Sequence, residues 1–312
     1  MMEKTKEFQQ IKQPGTHSYV FSKYLEPIAY VEPGETVEIF TKDAFENRIT
    51  SEQDIPSEIL GDYLNPQTGP IFIKGAEPGD TLVAEIIDIE PTRDWAVSVL
   101  KENFGGLTAT ELTRTLNEPL PEKVWIYKLE NGMLRNNDRL NFPWRPFLGT
   151  IGTAPEIEAI SALTPFSHGG NMDVPDTKPG NKVYLPVNTE GAYFFTGDAH
   201  AGQGDGELCG VALEITAKVT IKFNLIKGKT IKWPRIESPT EYMVVGSARP
   251  MEDAARIAYA ELIDWMVEMG WERFEAYQAL TQIGKLHVGN MVDTYYSLVA
   301  KIEKKYAQPE LK

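Results

Sequence analysis

One cysteine among 312 residues leaves no intramolecular disulfide framework and points to a reducing compartment. Basic residues are few beside acidic ones, 31 against 45, and the net charge of −14 argues against a nucleic-acid partner, because phosphate binding needs clustered Lys and Arg. No stretch approaches the ~20 consecutive apolar residues of a membrane helix. The opening MMEKTKEFQQIKQPG carries charges and no apolar core, so it does not read as a secretory signal. These absences predict a cytoplasmic protein with no membrane and no nucleic-acid partner. Histidine is also scarce, with four in all, at positions 17, 168, 200 and 287.

The residues that are present are those of an ordinary globular chain, 42% hydrophobic and 24% charged, long enough to bury a large core. Val37, Ile39 and Thr41 alternate with Glu38 and Phe40 after a Pro33-Gly34 turn, a strand pattern. The phrase Glu32-Pro33-Gly34-Glu35-Thr36-Val37 returns as Glu77-Pro78-Gly79-Asp80-Thr81-Leu82 before a second strand, so two related hairpins of a β-sandwich are expected. Asn131-Gly132 marks a tight hairpin between Val124–Leu129 and Met133–Leu140. Thr92 to Pro121 reads as a long excursion between strands, and Leu208 to Phe223 as a long strand or strand pair. Pro250 to Met269 places Ala254, Ala258, Leu262, Trp265, Met266 and Met269 at three- and four-residue steps, an amphipathic helix; Glu272 to Leu280 reads as a shorter one. The segment from Tyr295 to Ile302 fits helix and strand equally.

Polar ligand-type side chains gather between Ser167 and Gly210. His168, Asn171 and Asp173 follow one another beside Gly169-Gly170, and Asp198 and His200 precede the glycine-rich run that ends in Glu207. The pattern reads as two glycine-bent loops joined by strands at Lys182–Val187 and Ala192–Thr196. On extended chain, residues two apart point to one side about 6.5–7 Å apart, so Asp198 and His200 are within reach of one ion. Imidazoles with carboxylates are the donors of a zinc-like centre, although each residue alone has a plainer use, capping a turn or bonding backbone amides. Asp176 and Asp205 suit ordinary turn positions. Cys209 opens an apolar stretch and reads as a buried thiol before a nucleophile. Asp43 follows the first strand and is a candidate to reach the site from the N-terminal part; His17 and His287 stand alone. Phe142 to Gly152 is aromatic and rigid and reads as packing.

Ser167-His168-Gly169-Gly170-Asn171-Met172-Asp173 and Gly197-Asp198-Ala199-His200-Ala201-Gly202-Gln203-Gly204-Asp205-Gly206-Glu207 resemble the hallmark segments of the acetamidase/formamidase family. Val31 to Val37, Asn65-Pro66-Gln67-Thr68-Gly69-Pro70 and Gly75 to Asp80 are similar to supporting phrases of that family, so the resemblance runs from about residue 17 to about residue 300. It implies a mainly β fold, with a jelly-roll-like β-sandwich, a β-barrel-like region carrying the motifs and a smaller C-terminal α+β part. The corresponding divisions are residues 1–145, 146–235 and 236–312. It implies hydrolysis of formamide or acetamide to the carboxylate and ammonia, a divalent metal ion and a homo-oligomer of two or more subunits. The expected metal ligands are His168, Asp173, Asp198 and His200, with zinc the expected ion and calcium the oxygen-preferring alternative. Glu207 is the expected catalytic base, unless it is itself a ligand, and Asn171 and Gln203 the expected substrate-binding residues. A metal-dependent lactamase and a non-enzymatic small-ligand-binding β protein are the alternatives. No functional residue is expected from the C-terminal part.

Overall fold

The computed structural model describes residues 7–108, 120–137 and 139–307. Strands make up 41% of the chain and helices 13%, so the fold is mainly β, as expected. The repeated phrases show how the chain enters its strands. Glu35 N–H donates to Glu32 O at 3.1 Å and Asp80 N–H to Glu77 O at 3.0 Å, two turns with Pro at the second position. Gly34 (φ 95°) and Gly79 (φ 93°) take the left-handed third position, which a side chain would strain. Each turn feeds a strand, Thr36–Thr41 and Thr81–Pro91, and both pair with Ala217–Ile226 in a nine-stranded sheet.

A second, ten-stranded sheet contains Phe147–Thr153, Gly169–Asn171, Phe194–His200 and Trp95–Leu100. The inner faces of the two sheets form one core, where Phe194 meets Phe223 edge-on at 4.8 Å between ring centroids. Strands from all three expected segments share the nine-stranded sheet, so residues 145/146 and 235/236 are not breaks between layers. The C-terminal α+β part is the end of that sheet with its helices. Glu241–Ala248, Tyr296–Glu303 and Lys285–Asn290 extend it, which resolves the ambiguous segment near Tyr295 as strand. Met251–Glu268 and Arg273–Ile283 cover it through Ala258, Leu262, Met266 and Leu280, the apolar stripe read from the sequence. No described helix is long and apolar enough to cross a membrane.

Two strand assignments change. Trp95–Leu100 is a regular strand within the expected excursion after Thr92, of which residues 109–119 lie outside the described residues. Leu208 to Leu213 is not strand; regular pairing begins only at Glu214. Leu208, Val211, Ala212 and Leu213 line a cavity, and the alternation through Val219, Ile221 and Phe223 belongs to the strand Ala217–Ile226.

Candidate active site

The two hallmark segments flank a single strand. Phe147–Thr153 pairs on one side with Phe194–His200 and on the other with Gly169–Asn171. Asp198, His200 and Asn171 therefore lie in sheet, not on loops, and the stretch read as packing supplies the central strand. Leu148 pairs with Ala199 and Thr150 with Gly197, which sets Gly149 opposite Asp198.

Around Gly149 the carboxylates converge on one imidazole. His200 Nε2 lies 3.4 Å from Asp198 Oδ2, 3.5 Å from Glu214 Oε1 and 3.9 Å from Asp173 Oδ1. Ligand atoms of Asp173, Asp198 and His200 all fall within 4.8 Å of one another, and so do those of His200, Glu207 and Glu214. Asp293, from the chain just before Tyr296–Glu303, joins the group through Asn171, whose Nδ2 donates to Asp293 Oδ2 at 2.9 Å. All five acids are buried. Asp173 (φ 50°), Asp198 (φ 55°) and Glu207 (φ 51°) take left-handed backbone, which is uncommon for non-glycine residues and gathers at functional sites.

The electrostatics follow from crowding acids in a dry interior. Burial, then the neighbouring carboxylates, hold Asp173 and Asp293 well above the usual range. Glu214 is raised well above it too, by burial against the partial relief of His200. Glu207 is pushed up to about 7, chiefly by burial, with the charge of His200 opposing and Asp198 adding. Burial also works to raise Asp198, but the charge and hydrogen bond of His200 prevail and hold it below the usual carboxylate range. For His200 burial favours the neutral ring, while Glu214 and Asp198 outweigh it and raise it to about 10.

The remaining amides support the cluster. Asn65 (φ 62°) sends Nδ2 to Asn171 Oδ1 at 2.8 Å, Thr150 Oγ1 at 2.9 Å and Asp198 Oδ2 at 3.3 Å. Gln203 Oε1 accepts from His200 Nδ1 at 3.0 Å, and its Nε2 donates to the carbonyls of Asp173 and Gly289, both at 2.9 Å. That bond fixes the ring so that Nε2 faces the carboxylates. Gln203 and Asn171, expected to hold substrate, thus have their amide groups engaged by the protein, and both act on the residues of the cluster.

His168 does not belong to this group. Its ring is buried, packs edge-on to Phe21 at 4.8 Å, and both ring nitrogens lack a partner among the described residues. Burial lowers it to about 3, so it stands as a neutral imidazole. Asp43 is also elsewhere; its carboxylate accepts from the amides of Phe45 and Asn47 and pairs with Arg93 at 2.7 Å. Cys209 donates to Val211 O at 3.2 Å, Asp176 pairs with Lys301 at 2.6 Å, and His287 lies 3.3 Å from Asp176. Glu214, Asp293 and Asn290 were missed by sequence reasoning. Glu214 sits in an apolar run, and the two others lie in the C-terminal part, far along the chain. Asn290 donates to Asp173 Oδ2 at 3.3 Å.

These residues fit a cation on three grounds. One ring nitrogen and several carboxylate oxygens share a small volume. Glu214 Oε2 is buried without a hydrogen-bond partner among the described residues. A Cβ placed on Gly149 would come within 2.6 Å of Asp198 Oδ2, 2.7 Å of Asp173 Oδ1 and 2.8 Å of His200 Cε1, so glycine keeps open a cradle bounded by the donors.

Comparison with known proteins returns the same assignment as the motifs. The profile of the Acetamidase/Formamidase family matches residues 2–163 and 156–300. An acetamidase structure from Yersinia enterocolitica is 45% identical, with a TM-score of 0.94 over 98% of this chain and 95% of that one. An acetamidase structure from Bacillus halodurans is 32% identical, with a TM-score of 0.87 over 95% of this chain and 98% of that one. The formamidase of Methylophilus methylotrophus is 26% identical over 66% of this chain and 63% of that protein. The chain spans 61–63% of the length of the curated relatives it matches.

Proposed function

The chain belongs to the acetamidase/formamidase family, and from that membership and the acid–imidazole cluster we propose a divalent-metal-dependent hydrolase of small carboxamides. The reaction breaks the amide C–N bond, forms a C–O bond from water, and yields carboxylate and ammonia. The observation that carries this reading is the convergence of Asp173, Asp198, His200 and Glu214 beside a cavity that Asp198, Glu207 and Glu214 line.

Asp173, Asp198, His200 and Glu214 would hold the ion. What it supplies when bound is Lewis acidity, towards a carbonyl oxygen or a water proton. One ring nitrogen among carboxylate oxygens suits ions from zinc to calcium, with zinc the first candidate. Gln203 holds the ring of His200 in place, and Asn65 and Thr150 hold Asp198. Glu207, buried beside these donors and lining the cavity, is the group that takes a proton from the attacking water and returns it to the leaving nitrogen. His168 has no part in this mechanism. The same proposal places the enzyme in the cytoplasm, in keeping with its acidic composition and single cysteine, and as a homo-oligomer, in keeping with the family resemblance.

Elemental analysis coupled to ammonia release from formamide and acetamide tests the reading. A stoichiometric divalent ion and turnover that chelation removes and re-addition restores are expected. Full turnover in thoroughly metal-stripped protein would overturn the metal's role. Ammonia release lost on Cys209→Ala but not on Glu207→Gln would move the chemistry to the thiol. Absence of ammonia release from the metal-loaded protein would leave a binding protein.

A further inference from the structure

The cavity above the acid cluster is far larger than its expected substrates need. It has a volume of about 460 Å³, in the range of pockets that enclose drug-sized ligands, whereas formamide and acetamide have three and four non-hydrogen atoms. Its lining is divided. The buried end is polar, with Asn65, Asn171, Asp198, Glu207, Glu214 and Asp293. The sides are apolar, with Ala44, Phe45, Leu64, Phe104 and Val211, and exposed residues such as Asp62 and Glu102 stand at the mouth.

That apolar side is built, not incidental. Phe45 is 3% exposed and belongs to a packed cluster with Ile49, Val97, Val99 and Val124, against which Ala44, Leu64 and Val211 also rest. The turn that presents Phe45 is held by Asp43, whose carboxylate binds the Phe45 and Asn47 amides and the Arg93 guanidinium. Asp43 therefore bears on the site through the wall it anchors. An apolar substrate portion displaces poorly hydrogen-bonded water from such a wall, while an anionic one meets Asp198, Glu207, Glu214 and Asp293 at the buried end and, among the outer lining residues, Asp62 and Glu102 against the single cation of Lys101.

Resting on the amide-hydrolase reading, we propose that the substrates are neutral primary amides with an extended apolar acyl group, of hexanamide or phenylacetamide size. The carboxamide lies at the acid floor and the chain or ring lies along Phe45, Leu64, Phe104 and Val211. Each methylene buried against that wall raises kcat/KM about three- to fourfold.

The test is ammonia release by the metal-loaded protein from acetamide, butyramide, hexanamide, phenylacetamide and succinamate. The expected result is a kcat/KM at least tenfold higher for hexanamide than for acetamide, with succinamate poorest for its length. Leu64→Trp and Val211→Phe, which fill the side from two positions, should each lower the hexanamide-to-acetamide ratio. Turnover of acetamide with a falling series towards hexanamide overturns this inference and leaves the hydrolase reading intact. An unchanged ratio in both filled variants overturns the placement of the acyl group. No ammonia from any of the amides overturns both readings together.

Discussion

Gly149 faces Asp198 across adjacent strands, and the space its missing side chain leaves is bounded by Asp198, Asp173 and His200, at 2.6, 2.7 and 2.8 Å from where a Cβ would sit. Two of those atoms are carboxylate oxygens buried beyond easy movement. Gly149→Ala is therefore expected to displace the donors, with loss of bound metal and at least a hundredfold fall in ammonia release while far-UV circular dichroism is kept. Wild-type metal content and turnover in this variant would show that the cradle is not the metal's place.

Gln203 holds His200 from behind by a hydrogen bond to Nδ1 at 3.0 Å, and it is itself tied to the Asp173 and Gly289 carbonyls. Outer partners of a metal-binding imidazole are commonly worth 10–100-fold in metal affinity or activity. Gln203→Leu should weaken metal binding by about that factor, read by titration with a competing chelator, and turnover at saturating metal should recover. If Gln203 instead contacts substrate, KM rises and metal affinity does not move.

The family motifs made most of this site legible. Asp173, Asp198, His200 and Glu207 are named by two long segments, and the structure gathers all four. What could not be read was pairing. Glu214 and Asp293 reach the cluster because the sheet returns the chain to it, and a lone acid in an apolar run or near a chain end carries no local signal. His168 misled for the opposite reason. It stands directly before Gly169-Gly170 and three residues before Asn171, inside the motif, but Phe21 packs edge-on against its ring. The fold followed the same division: turns such as Asn131-Gly132 and the paired Pro-Gly phrases are local and were readable, whereas the interleaving of all three segments in one sheet is long-range.

His168 sets a pH dependence of stability. Burial lowers it to about 3 in the folded protein from an ordinary 6.5, so between these values the unfolded chain binds the proton and the folded one does not. Its contribution is fully present above pH 6.5 and is lost as pH falls towards 3. His168→Leu should make the melting temperature less sensitive to acidification from pH 7 to pH 4 than in the wild type. Equal slopes for the two proteins over that window would mean that the ring is protonated or solvated in the native state.

Glu214 separates the cost of the acid cluster from its use. In the metal-free protein its carboxyl is held well above the usual range by burial, so its ionised form costs more in the fold than in the unfolded chain. A group raised in this way adds stability below its ordinary pKa and loses it as pH rises, which makes Glu214 a liability at neutrality. Glu214→Gln removes that liability and is expected to raise the melting temperature of metal-free protein by a few degrees, about 2 °C per kcal/mol for a chain of this size. With metal the order reverses, because the variant loses a donor whose Oε2 has no other partner among the described residues. The stabilisation gained on adding metal, measured as the difference between loaded and stripped melting temperatures, should shrink in Glu214→Gln. An equal metal-induced rise in both proteins would place the ion away from Glu214 and leave the other members of the cluster to hold it.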